Sequence, residues 1–457
     1  MTVRIGVDGF NLALARGTGV ATYGRVLCEA LREMSCAVDL VYGLDVPPDA
    51  APPLQETLFF ARLGEGRSGG EPPAGRMTIR RAIRRAFLSS KPRDLVPVPL
   101  TGRVIRDGMA EHLPSCGRLF TLGNLFYLGA RHFRRYGRFL TVRAPNPPAI
   151  MHWTYPVPVR LEGARNLYTI HDLVPLRLPF TSLEDKAYHE ALLRECARTA
   201  DHIVTVSEAS RRDLIHHLGI APGRVTNTYQ ALPATAALDE TARASERERV
   251  SALFGLQPHS YFLFVGAIEP KKNLGRLVEA FLSSGVDAPL VIAGPSGWGA
   301  EDELRLAAAA QNDGRIRRID YLPAGQLRSL IRGARVFVFP SLYEGFGLPP
   351  LEAMAMGVPV LASNAGALPE LAADAAELVD PYDVATLSAA IVKLDSDDVL
   401  RARLGKAGAA RAQHFSMAIY RWRLATLHAR LLGSAADHHG AGADTPCAPE
   451  LQTGEVA

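Results

Sequence analysis

Ala334-Arg-Val-Phe-Val-Phe-Pro-Ser-Leu-Tyr-Glu344-Gly-Phe-Gly-Leu-Pro-Pro-Leu-Glu352-Ala-Met-Ala-Met-Gly357-Val-Pro-Val-Leu-Ala-Ser-Asn364 reads as strand, loop, helix, strand. Val336 to Phe339 is a short apolar, β-rich run, as expected of a strand buried on both faces of a parallel sheet. Pro349-Pro350 suit the start of a helix, where a missing N–H goes unnoticed. Gly357 suits its end, and Val358 to Leu361 begins the next strand. The backbone N–H groups of Gly345, Phe346 and Gly347 then lie between a strand's carboxyl end and a helix N-terminus, where open α/β sheets bind anions. Glu344 falls in the loop and Glu352 in the first helical turn. Alone, they read as a solvated loop charge and a carboxylate facing its own helix amides, the latter contributing about 0.3–1 kcal/mol.

Outward from this unit, strands alternate with helices in both directions. Tyr261 to Gly266 is a buried strand and Asn273 to Phe281 a helix. Lys271 and Lys272 stand at their junction, placed for a diphosphate or simply exposed. Leu290 to Gly294 and Ile316 to Tyr321 are further strands, Gln326 to Arg332 a helix, and Phe415 to Leu432 a long C-terminal helix. Residues 433–457 are small and polar and predict disorder.

Toward the amino terminus, Val3 to Gly9 is a strand and Val20 to Met34 has helical periodicity. Gly17-Thr18-Gly19 between them either brings backbone close to a phosphate or sugar or makes a flexible turn. Thr22 stands where a dinucleotide fingerprint needs its third glycine. Val38 to Tyr42 is a second strand, and residues 44–75 predict a long, partly disordered excursion. Asn166 to Ile170 is a strand ending at His171-Asp172. A His-Asp pair there, entering a Pro-marked loop, is a catalytic candidate as well as a structural one. Leu183 to Thr199 is a helix, His202 to Ser207 a strand, and Ser207 or Glu208 caps the helix to Leu218. The pattern breaks around Thr226 to Pro233.

The central string closely resembles the nucleotide-sugar motif (E-x7-E) of glycosyltransferase family 4, whose members have a GT-B fold and retain anomeric configuration. The resemblance is firm over 255–415, looser over 1–30 and 150–230, and absent over 44–145. It implies two doubly wound, Rossmann-like α/β domains facing a cleft. Residues 1–228 would form the acceptor side, with a basic insertion at about 44–145, and 229–412 the nucleotide-sugar side; 413–432 would cross back to the first domain. It places Glu344 beside the donor sugar and Glu352 on the ribose. Lys272 aligns with a lysine that neutralises the leaving pyrophosphate. The family's usual arginine is Ala267 here, which leaves that task to Lys272, Lys271 and the loop amides. The backbone near Leu322 would read the nucleobase, and the Gly19 loop would lie at the cleft. The expected donor-binding set is Gly19, Gly266, Lys271, Lys272, Leu322, Gly345, Phe346, Gly347, Leu348 and Glu352. The segment His171-Asp-Leu-Val-Pro175 resembles the mannosyl- and rhamnosyltransferase branches, where the histidine approaches the sugar. His171, Glu344 and Asp172 are the expected catalytic residues. GDP-mannose is the preferred donor, ahead of GDP- or dTDP-rhamnose and UDP-sugars, and the acceptor a glycan or lipid diphosphate in polysaccharide biosynthesis.

Composition fits this. The chain has 457 residues, 47% hydrophobic and 21% charged, enough for two domains. Its five cysteines are scattered, which disfavours metal clusters and a disulfide framework. No run is apolar enough to span a bilayer and no signal peptide is evident, so a cytoplasmic protein is expected. Net charge is +4, yet residues 62–143 hold 17 Lys+Arg against five Asp+Glu, a local balance of +12. Arg80, Arg81, Arg84 and Arg85 form one face of an amphipathic helix over 76–87, which either meets an anionic membrane surface, peripherally on its inner face, or packs as a solvated helix. Few aromatics interleave it, so nucleic acid is not an expected partner. Asp395-Ser-Asp397 reads as helix capping, and no metal or other cofactor is expected. The rivals are a metal-dependent transferase, a GT-B nucleotide-sugar epimerase and a non-catalytic nucleotide-sugar-binding protein.

Overall fold

Phe262–Val265 and Val336–Phe339 are apolar and buried at every position, and they pair in parallel at the centre of a sheet. In the computed structural model the described residues are 2–14, 19–65, 92–106, 108–233, 248–310 and 314–433; Gly17, Thr18, the basic helix expected over 76–87 and the tail beyond 433 lie outside them. The sheet has six strands in the order Ile316–Ile319, Leu290–Ala293, Phe262–Val265, Val336–Phe339, Val360–Ser363, Glu377–Val379, all neighbours parallel. The order reverses between the two central strands. Their following loops therefore part in opposite directions and open a crevice at the carboxyl ends.

The first lobe repeats this logic in eight strands, ordered Val225–Asn227, His202–Thr205, Arg165–Thr169, Ile150–Trp153, Arg4–Asp8, Ala37–Tyr42, Arg118–Thr121, Val96–Val98. The last pair is antiparallel. Here the order reverses between Arg4–Asp8 and Ile150–Trp153. Trp153, Tyr168, Tyr23 and Phe120 are fully buried around it. The molecule is thus two doubly wound α/β lobes, as expected.

Local differences have plain causes. Within the expected excursion, Pro52–Gly64 is a helix burying Phe59, Phe60 and Leu63. Its two leading prolines, which read as loop, occupy the positions where no amide partner is needed. Arg118–Thr121 runs beside Ala37–Tyr42 in the first sheet. Part of the basic surplus is answered by acids outside its window: Arg118 donates to Asp39 Oδ2 at 2.6 Å, Arg143 pairs with Glu162 at 2.7 Å, and Arg106 faces the buried Glu56 at 3.8 Å. The helix that follows the Glu344 loop spans Leu348–Ala355, and the C-terminal helix spans Met417–Leu432. The latter returns to the first lobe, where Arg421 pairs with Glu33 at 2.8 Å and Arg430 donates to Thr226 at 2.7 Å. Among the described residues no helix is long and apolar enough to cross a membrane.

Candidate active site

Two loops leave the central strands of the second lobe and are fastened together. Asn273, in the left-handed conformation, donates from its buried amide to the carbonyls of Pro340 at 3.0 Å and Pro381 at 2.7 Å. The Leu342 amide donates to the Lys271 carbonyl at 2.8 Å. This brings Lys271 and Lys272 to Glu344. Lys272 Nζ lies 2.5 Å from Glu344 Oε1 and 4.8 Å from the Phe339 ring centre, while Lys271 Nζ lies 3.8 Å from Oε2. Glu344 is 7% exposed. Burial alone would push its carboxyl up, but the two ammonium groups prevail and hold it below the usual range. Lys271 is correspondingly raised, Glu344 being the chief cause. The site thus favours a charged carboxylate at Glu344 and a charged ammonium at Lys271.

Behind Glu344, Gly366 (φ 61°) leaves no room for a side chain, because a Cβ would stand 2.6 Å from the Glu344 carbonyl oxygen. Gly345 is equally confined from the opposite lobe: its Cβ would stand 2.5 Å from the His171 carbonyl oxygen and 2.7 Å from Asp172 Cβ. Here the lobes meet. Among the described residues the amides of Gly345, Phe346 and Gly347 donate no hydrogen bond within the protein. The Phe346 side chain packs away from the crevice, 5.8 Å from the Phe415 ring, so this residue offers backbone only.

His171 follows the strand Arg165–Thr169. Its Nε2 donates to the Thr154 carbonyl at 2.9 Å, and Tyr23 meets its ring edge-on at 5.0 Å. Burial lowers its pKa, so the neutral ring keeps its proton on Nε2 and leaves Nδ1 as an acceptor. Asp172 closes a local turn by accepting the Val174 amide at 3.0 Å. It sits at the lobe contact, with its carboxylate engaged by its own loop.

Glu352 differs from expectation. The helix begins at Leu348, which puts Glu352 in the second turn, too far along to face the free amides. Burial pushes its carboxyl up to about 7 against the pull of Arg328. Leu348 and Leu322 are half-buried against the core, the latter beside the exposed Tyr321. Gly266 is closely backed by Gly294, whose Cβ would stand 2.0 Å from the Gly266 carbonyl oxygen. Gly19 opens the helix Gly19–Glu33 with nothing within 4 Å of its Cβ position, so no steric demand for glycine exists there. Asp397 caps a helix by accepting the Leu400 amide at 2.8 Å, and Asp395 pairs with Arg335 at 2.9 Å. Among the described residues no three acidic, His or Cys side chains gather as a metal set. Sequence reasoning missed Phe339 and Thr154, whose contacts to Lys272 and His171 leave no local signature.

The family model described as "Glycosyl transferases group 1" matches residues 254–411, and "Glycosyltransferase Family 4" matches residues 91–230. The chain is 36% identical over 268 residues to the O-antigen chain mannosyltransferase B of Escherichia coli, covering 57% of this chain and 68% of that one. It is 27% identical over 411 residues to the serotype-specific mannosyltransferase WbdA of Escherichia coli, covering 81% of this chain but only 48% of that longer protein. Among solved structures, Anabaena HepE in complex with UDP and glucose superposes with a TM-score of 0.60 at 15% identity, covering 94% of this chain and 100% of that one. At that identity the likeness concerns the fold.

Proposed function

The chain belongs to glycosyltransferase family 4 as a hexosyltransferase, and from that premise we propose that it moves mannose from GDP-mannose to a glycan hydroxyl with retention of configuration. The observation that carries this reading is the Lys271–Lys272–Glu344 cluster beside three free amides, where Gly345 meets the His171 carbonyl of the other lobe. The choice of mannose follows the mannosyltransferase relatives and the His171-Asp-Leu-Val-Pro175 segment.

Breaking the anomeric bond builds negative charge on the departing diphosphate and positive charge on the sugar ring. Lys271, Lys272 and the helix-terminal amides stabilise the first, fixed in place before the reaction begins. Glu344, charged and buried, binds sugar hydroxyls and favours the second. His171 accepts a sugar hydroxyl at Nδ1, and Glu352 binds the ribose. With retention, the acceptor arrives on the leaving-group face and passes its proton to a phosphate oxygen. No metal ion takes part, so turnover survives EDTA. The acceptor is a growing polysaccharide on a lipid diphosphate, and the basic segment 76–87 brings the enzyme to acidic lipid; liposome flotation with no preference for anionic over neutral vesicles would remove that last element.

The test is a thermal-shift screen of nucleotide sugars, followed by mannosyl transfer to glycan acceptors and NMR assignment of the product anomer. Stabilisation by GDP-mannose and an α-mannoside product are expected. Selective stabilisation by a UDP- or dTDP-sugar, or an inverted product, refutes the reading.

A further inference from the structure

The helix Glu208–Leu218 of the first lobe is gripped twice by the second. Ser207 caps its third amide, accepting from Ser210 at 3.0 Å, and leaves the first two amides open. The Glu370 carboxylate crosses from the other lobe to take both, from Glu208 at 2.9 Å and Ala209 at 2.8 Å, while the Tyr229 hydroxyl donates to it at 3.1 Å. Further along the helix, Asp213 accepts the Tyr343 hydroxyl and pairs with Arg177.

Both ends of this clasp lead to the site. On the first lobe, the Ser210 hydroxyl donates to the His171 carbonyl at 2.7 Å. On the second, the Ala367 amide donates to the Glu344 carbonyl at 3.0 Å, and Glu370 follows in the short helix Leu368–Ala372. Arg411 anchors that helix by donating to the Glu370 carbonyl at 2.5 Å and the Leu371 carbonyl at 2.9 Å. Tyr343 is the neighbour of Glu344 in the chain.

We infer that Glu370 is a positioning residue, docking on the open helix end to set the distance between His171 and the Glu344 loop when the lobes close. It touches neither side chain itself. A carboxylate fits because its two oxygens answer two parallel amides and its charge suits the positive end of the helix dipole. A glutamine can answer only one.

Full-length wild type, E370Q, E370A and Y343F would be compared by melting temperature, by small-angle scattering with and without GDP-mannose, and by steady-state turnover. The kinetic arm rests on the sugar-transfer reading; the scattering arm does not. For E370A the melting temperature should hold and the molecule should lengthen, with kcat reduced about tenfold to a hundredfold and donor KM within about threefold. E370Q should fall between E370A and wild type. Wild-type kcat and scattering in E370A, or an activity loss that merely follows melting temperature, would overturn the inference. Should E370A fail to fold, Y343F must show a smaller lengthening of the same kind, and an unchanged molecule overturns it. If wild type does not turn over GDP-mannose, the donor reading falls and scattering alone decides on Glu370.

Discussion

A carboxylate enclosed by two ammonium groups can act on a substrate only if its charge survives burial, and at Glu344 the lysines ensure this. E344Q and H171A are expected to lower kcat by about a hundredfold or more while donor affinity by calorimetry changes only a few-fold. Unchanged turnover in either would remove that residue from the chemistry. K272A strands the buried carboxylate with only the more distant lysine, so denaturant titration should show a loss of about 3 kcal/mol. Glu352 predicts the pH dependence. Its folded pKa of about 7 exceeds the unfolded carboxyl value of 4.5, so the folded state binds the proton more tightly. The contribution of Glu352 to stability therefore falls as pH rises from 4.5 to 7, by an amount on the order of 1–3 kcal/mol. E352Q should melt higher than wild type at pH 8 and much like it at pH 4; equal pH profiles would show that the carboxyl is not desolvated. Glu344, Lys272 and His171 were legible in the sequence because each follows a buried strand at a point marked by Gly or Pro. The turn occupied by Glu352 was misread, since a proline pair fits the second and third helical positions as well as the first.

At the level of elements, the site depends on strand ends whose loops place glycine at the points of closest approach. Gly345 is the sharpest case, pressed against the His171 carbonyl from the other lobe. G345A should therefore force the lobes apart and reduce kcat by about a hundredfold, with a smaller effect on melting temperature because the strain is relieved by opening. Wild-type turnover in G345A would mean that the contact yields without cost. The parallel strands were legible because burial on both faces writes an unbroken apolar run, as in Phe262–Val265. Pro52–Gly64 was not, because its apolar stripe of Phe59, Phe60 and Leu63 sits behind prolines that also mark turns. The partners Thr154 and Ser210 were hidden for another reason: they reach His171 from 17 and 39 residues away, and no local pattern encodes such contacts.

At the scale of the whole molecule, among the described residues, three histidines besides His171 are buried with strongly lowered pKa values: His152 in a central strand of the first sheet, His202 in another strand of that sheet and His428 on the returning C-terminal helix, lowered to about 3, 4 and 4 chiefly by desolvation. Each stabilises the fold fully above its unfolded value of 6.5 and loses that contribution as pH falls toward the folded value. Calorimetry should show a melting temperature that drops between pH 6.5 and pH 4, with H428F dropping less steeply; parallel profiles would exclude His428 as a source. The two-lobed plan itself was readable from alternating elements, whereas the basic surplus misled in part. Linear counting cannot see that Asp39, Glu56 and Glu162 fold back beside Arg118, Arg106 and Arg143. The helix Met417–Leu432, which buries Tyr420, Leu424 and Leu427 against the first lobe, makes the amino-terminal lobe dependent on a segment that follows the second lobe in the chain. That lobe cannot finish assembling until the second has been made, and a chimera that exchanges the second lobe for a relative's needs two splice points, keeping this helix with its own host.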